Sequence, residues 1–357
     1  MEMISAAHEK KMEVYADFVI NHNSGADAQE KNPLDQQDRW TKFTPKSGKF
    51  LRDWKCFHPS LYERWDGMTF GEMPDLCHRN PYVFAQLIEH AQWLIEEIGF
   101  DGFRFDFVKG YGAWMVRAIQ EIRYLKRGEG YKPFAVGECW DSDRVIEDWL
   151  AVASDWSDNP VSAFDFPLKY RLRDLCDVFG VGFRQILAPG LLYQENAAAA
   201  VTFVDNHDTD GNSPTRNDKL LAYAFILTHE GYPCVFWKDY FVYGLANEGG
   251  PSGIAALVQA HEQFAGGGTS VLYLSDDLYV MQRSGFGDQR GLVLAMNNRG
   301  DAWNGNPVKT QWTNTRFIPV AWWGATDRSR PEDQWSGPEG WASFWAAPRG
   351  YAVYAPS

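Results

Sequence analysis

Apolar residues fall along this chain in two alternating rhythms. Runs of four to six apolar or β-branched residues, each ending in a polar tip, occupy about 13–20, 100–106, 133–138, 161–165, 200–205 and 232–237. Between and after them, apolar positions recur at helical spacing over about 80–98, 112–126, 143–156, 167–179, 217–229 and 252–265. Strand followed by helix predicts an α/β fold with a parallel sheet or barrel, whose reactive groups stand at the C-terminal ends of the strands. Residues 1–11 read as a short amphipathic helix with Met3, Ile4 and Ala7 on one side. The span 23–79 is rich in Trp, Pro, Asp and Lys and has little periodicity, which predicts an irregular insert of the kind that usually carries function. After Gly266-Gly267-Gly268, shorter alternating runs at 270–274, 278–283, 291–297, 316–323 and 350–354 predict an antiparallel sheet. The expected organisation is a catalytic body over 1–22 and 80–266, an inserted loop domain over 23–79, and a C-terminal β domain over 267–357.

Three of the strand-like runs end in a carboxylate. Asp106 closes Gly102-Phe103-Arg104-Phe105-Asp106, Glu138 closes Phe134-Ala135-Val136-Gly137-Glu138, and Asp208 ends Val201-Thr202-Phe203-Val204-Asp205-Asn206-His207-Asp208. Cleaving a glycosidic bond with retention needs one carboxylate to attack the sugar carbon and one carboxylic acid to protonate the leaving oxygen, about 5–5.5 Å apart. Arg104 lies two positions before Asp106, and residues i and i+2 of a strand point the same way, so its guanidinium can hold that carboxylate ionised. The dipeptide Asn-His stands at two strand ends, Asn21-His22 and Asn206-His207, and that repetition singles out His22 and His207 over lone structural histidines.

A fourth block, Val14-Tyr15-Ala16-Asp17-Phe18-Val19-Ile20-Asn21-His22, completes an ordered set. Together the four blocks, spread over roughly residues 13 to 210, resemble the short sequence regions of the α-amylase family, glycoside hydrolase family 13. Phe105-Asp106-Phe107-Val108-Lys109-Gly110-Tyr111 and Gly137-Glu138-Cys139-Trp140 are most similar to plant α-amylases and bacterial maltotetraose-forming amylases. The resemblance implies a TIM-type (β/α)8 barrel in which the Asp17 strand is the third. The chain is then expected to be N-terminally truncated, lacking the first two strands, with six recognisable.

By the same resemblance the activity is retaining hydrolysis of internal α-1,4-glucosidic bonds of starch and maltooligosaccharides through a covalent glycosyl-enzyme intermediate. Asp106 would be the nucleophile, Glu138 the acid and base, and Asp208 the carboxylate that binds sugar hydroxyls. His22, Arg104 and His207 would contact the sugar, with Lys109, Tyr111 and Trp140 on the leaving-group side. A Ca²⁺ ion is implied, held by Asn21, Asp75 and the backbone carbonyl of Gly110, donors whose hardness suits it. Its remaining ligands would come from residues 27–66, where Asp27, Asp35, Asp38, Asp53 and Asp66 compete; Cys77 stands where the family often has another acidic residue. The run Asp208-Thr209-Asp210-Gly211-Asn212 lacks the arginine of the family's chloride site. Two other readings stay open: a carbohydrate-binding remnant that no longer aligns its acids, and a transferase that passes the glucan to another sugar.

Composition narrows the partners. A net charge of −13 over 357 residues argues against nucleic acid, whereas neutral starch makes no electrostatic demand. Aromatics form 15% of the chain, including 16 Trp, and flat indoles suit the apolar faces of sugars; Trp322-Trp323 are the candidates for a surface sugar site. No run of 18 apolar residues predicts a membrane span, and residues 1–20 lack the pattern of a secretory leader, although the resemblance implies secretion. Five cysteines leave at least one unpaired, and Cys56 and Cys77 share a loop region where a bridge can form in an oxidising compartment. An open six-strand arc would expose two sheet edges. Either the chain is part of a longer product or two copies close each other's barrel as a homodimer.

Overall fold

Each of the six strand-like runs between 13 and 237 is realised as a short parallel strand. The structure, a computed structural model, describes all residues except 156 and 157, and it divides into two units, Met1–Phe164 and Asp165–Ser357. The last residue of the expected helix 143–156 therefore lies outside the described residues.

In the first unit the helix Glu2–Glu9 (α1) precedes the strand Tyr15–Phe18 (β1). Of the three apolar residues expected on one face of α1, Ile4 is buried and Met3 is exposed. The insert forms one hairpin, Ala28–Lys31 (β2) with Asp38–Lys42 (β3), and is otherwise irregular up to the helix Pro81–Trp93 (α2). Asn80 caps α2 by accepting from the Tyr82 N–H, and Pro81 takes the first helical position, where its missing N–H costs nothing. Then follow Gly102–Phe105 (β4), Trp114–Gln120 (α3), Phe134–Gly137 (β5), Asp143–Ala153 (α4) and Ser162–Phe164 (β6). Strands β1, β4, β5 and β6 lie side by side in that order, all parallel, with Asp17 opposite Arg104 and Arg104 opposite Val136. Phe18 stacks on Phe103 at 5.3 Å between ring centres, which fixes β1 against β4.

The second unit opens with Phe166–Asp177 (α5), capped by Asp165, whose carboxylate accepts from the Leu168 N–H. Short turns Phe183–Ile186 (α6) and Leu192–Glu195 (α7) lead to the fully buried strand Ala200–Phe203 (β7). After Thr209–Asn212 (α8) and the buried helix Lys219–Ile226 (α9), Tyr232–Cys234 (β8) pairs with β7 in parallel, Val201 opposite Tyr232. Ile254–Phe264 (α10) then passes into Thr269–Leu274 (β9), Leu278–Arg283 (β10), Leu292–Asn297 (β11), Asn304–Lys309 (β12), Arg316–Gly324 (β13), Gln334–Trp335 (β14), Trp341–Ala346 (β15) and Gly350–Pro356 (β16). Six of these form an antiparallel sheet in the order β14-β13-β16-β11-β10-β9, and β12 pairs with β15 as a ribbon. Val280, Val293, Phe317, Phe344 and Tyr354 form the core between them.

Two side-chain alternatives are resolved. Cys56 and Cys77 are neighbours through a Cys77 N–H to Cys56 carbonyl bond of 2.9 Å, yet both thiols are free and buried. Trp323 is buried and Trp322 packs on the β core, adjacent residues pointing to opposite faces of their strand; the exposed indoles of the C-terminal segment are Trp335, Trp341 and Trp345.

Candidate active site

The ends of β1, β4 and β5 bring three carboxylates onto one guanidinium. Arg104 Nη1 donates to Asp17 Oδ1 at 2.8 Å and to Asp106 Oδ1 at 2.6 Å, and Nη2 lies 2.9 Å from Glu138 Oε2. Register explains this: Asp17 is the cross-strand neighbour of Arg104, Asp106 follows on the same face, and Glu138 is the next residue beyond β5. Burial alone would lower the Arg104 pKa, but Glu138, Asp17 and Asp106 outweigh it and hold the group protonated. Glu138 is 6% exposed and also accepts from the Phe107 N–H at 3.3 Å. Phe107 can offer that N–H because its backbone is left-handed, with φ of 44°, an uncommon conformation for a bulky residue.

Around this centre the predicted residues take different places. His22 is half-buried and stacks flat on Phe70, 4.4 Å between ring centres; burial lowers its pKa, and Asp106 opposes the shift. Lys109 donates to the Trp140 carbonyl at 2.6 Å and to Asp141 Oδ2 at 3.0 Å, so it ties the loop after β4 to the loop after β5. Trp140 is partly exposed beside it. Tyr111, expected beside the leaving group, is instead buried, stacked on His78 with its hydroxyl 3.4 Å from the Asp106 carbonyl. It supports the backbone of Asp106 and offers little surface to a ligand. Asp17 joins the site without having been a sequence candidate, although its place in the Asp17-Phe18-Val19-Ile20-Asn21-His22 block is a signal.

Asp208 and His207 belong to the second unit. His207 Nε2 lies 3.3 Å from Asp208 Oδ2, both partly open to solvent, and Asn206 Oδ1 accepts from the Asp208 N–H at 3.0 Å. The loop that carries them is anchored by a buried charge cluster. Lys219 Nζ lies 2.8 Å from Asp205 and 2.7 Å from Asp239, Lys169 Nζ is 3.4 Å from Asp205, and the Tyr223 hydroxyl donates to Asp239 at 2.6 Å. Buried charges survive only when paired in this way.

The three expected calcium donors converge. The terminal amide atom of Asn21 lies 3.0 Å from the Gly110 carbonyl oxygen and 3.3 Å from Asp75 Oδ1. With its oxygen turned there, three hard oxygens face one another at the spacing of neighbouring ligands on Ca²⁺; with its nitrogen there, the amide donates to both. A Cβ on residue 110 would fall 1.9 Å from the Asn21 amide, so only glycine leaves this carbonyl within reach. The donor set fits the ion. Asp75 is pushed up to about 7, first by burial and then by the charge of Asp66. Asp66, which burial alone would raise, is held well below the usual carboxylate range by His58 and His78. Neither histidine was singled out from the sequence, since the irregular insert gives no periodicity to place them.

Residues 1–239 match the family described as alpha amylase, catalytic domain. An α-amylase of Geobacillus stearothermophilus is 30% identical over 352 residues, covering 83% of this chain and 62% of the relative. The glucan 1,4-alpha-maltotetraohydrolase of Stutzerimonas stutzeri is 30% identical over 312 residues, covering 80% of this chain and 52% of its own length. Among solved structures, the acarbose complex of an α-amylase from Geobacillus thermoleovorans superposes with a TM-score of 0.68 at 20% identity, covering 100% of this chain and 80% of that one, a likeness of fold. The chain thus spans between about half and two thirds of the length of these two sequence relatives.

Proposed function

Because the chain belongs to the α-amylase catalytic-domain family, we propose that it hydrolyses internal α-1,4-glucosidic bonds of starch and maltooligosaccharides with retention. The observation that carries this reading is the pair Asp106 and Glu138, at the ends of adjacent parallel strands and on one guanidinium. Asp106 Oδ attacks the anomeric carbon as Glu138 gives a proton to the departing glycosidic oxygen. Water, deprotonated by Glu138, then displaces Asp106 and restores both groups. Arg104 keeps Asp106 ionised for the attack. For Glu138 to donate a proton, Arg104 must be drawn to Asp106 and Asp17 and away from Glu138, a shift that sugar hydroxyls entering the site would drive.

Ca²⁺ held by Asn21, Asp75 and the Gly110 carbonyl would neutralise this buried oxygen cluster and staple the insert to the strand ends. The two-carboxylate chemistry needs only first-unit residues, and the contribution of Asp208 is read from Asp208→Asn.

Reducing-sugar release from soluble starch tests the reading, with Asp106→Asn and Glu138→Gln beside the parent. Each variant should lose on the order of 10³-fold or more in rate while keeping its fold by circular dichroism. Parent-like release by either variant, or no release by the parent, would overturn it.

A further inference from the structure

The insert carries a cavity that the proposed hydrolysis does not use. It measures about 410 Å³, a size usual for small-molecule sites, and lies between the end of β3, the segment 51–62 and the start of α2. Its wall is largely apolar, formed by Phe43, Leu51, Leu61, Tyr62 and Tyr82. Its residues include neither the carboxylates on Arg104 nor Asn21, Asp75 and Gly110.

The charge of that wall runs against the rest of the molecule. A chain with 47 acidic and 34 basic residues places three cations there, Lys42, Arg52 and Lys55, beside one anion, Asp53. Lys42 Nζ lies 3.8 Å from Glu30 and Lys55 Nζ 3.9 Å from Asp53, beyond hydrogen-bonding distance, so both ammonium groups are free to turn toward another anion. Arg52 is the group that needs one. It donates from Nη1 to Asn23 Oδ1, and its Nε is buried with no partner. Burial lowers its pKa, opposed by Cys56 and Tyr82 rather than by a carboxylate, yet a guanidinium keeps its proton inside a protein. A buried, charged N–H left unsatisfied costs the full desolvation of that group. Nε and Nη2 form the edge that grips a carboxylate through two parallel bonds, and neither donates to a described residue.

The wall is held in place by its backbone. Arg52 and Phe43 exchange N–H to carbonyl bonds of 3.1 and 3.0 Å, the Tyr82 hydroxyl donates to the Leu51 carbonyl at 2.7 Å, and Asn80 Nδ2 donates to the Lys55 carbonyl at 2.9 Å. Guanidinium and rings are thus presented without a further ordering cost. We propose that this cavity binds a small organic carboxylate with an apolar ring, the carboxylate on Arg52 flanked by Lys42 and Lys55, and the ring among Phe43, Leu61, Tyr62 and Tyr82. A neutral glucan lacks the charge, and a bare inorganic anion lacks the apolar body that the rings would cover. Once occupied, the site would tie the end of β3 and the segment 51–62 to the start of α2 and so stiffen the insert. The site stands whether or not the chain hydrolyses starch.

Isothermal titration of the whole chain with cinnamate tests it, in about 0.1 M salt so that diffuse attraction to lysines is screened. One cinnamate should bind per chain. The uncharged cinnamamide, which loses the charged hydrogen bonds, and inorganic phosphate, which loses the apolar contact, should each bind at least about 10-fold more weakly. Arg52→Gln should weaken cinnamate by at least about 10-fold. So should Leu61→Glu, which sets a negative charge on the wall at a residue 69% exposed and leaves the core untouched. Lys49→Gln, at a cation paired with Glu89 outside the cavity, should leave binding unchanged. Circular dichroism checks the fold of each variant. Absence of saturable one-to-one binding by the parent, equal affinity for cinnamamide or phosphate, or parent-like affinity in a folded Arg52→Gln or Leu61→Glu would each overturn the site.

Discussion

A single side chain, Arg104, sets the electrostatics of the candidate site, because three carboxylates share its fork. Lysine is a point charge and cannot reach Asp17, Asp106 and Glu138 in one geometry. Arg104→Lys should therefore lower kcat/KM by about 10²–10³-fold with little change in thermal midpoint, measured on a soluble maltooligosaccharide; an unchanged kcat/KM would remove Arg104 from the mechanism. A second residue governs acid stability. His229 is enclosed by Phe225 and Tyr279, and burial, opposed only by the Phe225 carbonyl, pushes its pKa down to about 3. The unfolded chain binds this proton below about 6.5 and the folded chain does not until about 3. Stability from this residue is thus complete above pH about 6.5 and is lost as pH falls toward 3, about 2–3 kcal/mol of it by pH 4.5. Urea unfolding at pH 7 and pH 4.5 should show the parent losing more than His229→Gln, and equal losses would contradict the assignment. At this scale Asp106, Glu138 and Arg104 were legible because strand alternation and a polar tip place them. His58 and His78 were not, and Asp66 stood only as one of five competing acids, because their proximity depends on an irregular backbone path that no sequence period encodes.

At the level of elements, close packing of helix on strand aims the acids. Strand β5 ends in Gly137, and a Cβ there would stand 2.2 Å from the Trp149 ring of α4. Glycine therefore lets α4 settle directly over the strand end that presents Glu138. Gly137→Ala should cost about 1–3 kcal/mol by overpacking and lower kcat through displacement of Glu138, read as a shifted urea midpoint together with reduced starch hydrolysis. Retained stability and rate would mean that α4 does not position the acid. The six parallel strands lie within a few residues of their predicted spans, since short apolar and β-branched runs bounded by polar tips favour extended backbone. The ribbon β12 with β15 was missed. Its residues include Asn304, Gly305, Asn306 and Pro307, which have poor strand propensity and pair only because tertiary packing overrides it.

For the whole molecule, the six parallel strands and the presence of an antiparallel C-terminal sheet were readable from period alone, and family membership rests on a match over residues 1–239. The division after Phe164 was not readable, because sequence period carries no record of how densely distant segments contact one another. In the proposed mechanism Asp106 becomes covalently glycosylated while Glu138 handles the proton. Glu138→Gln incubated with a maltosyl fluoride, whose leaving group needs no acid, followed by intact-mass and peptide mapping, tests it most directly. One maltosyl unit should be found on Asp106; no adduct, or one mapped to another residue, would rule that mechanism out.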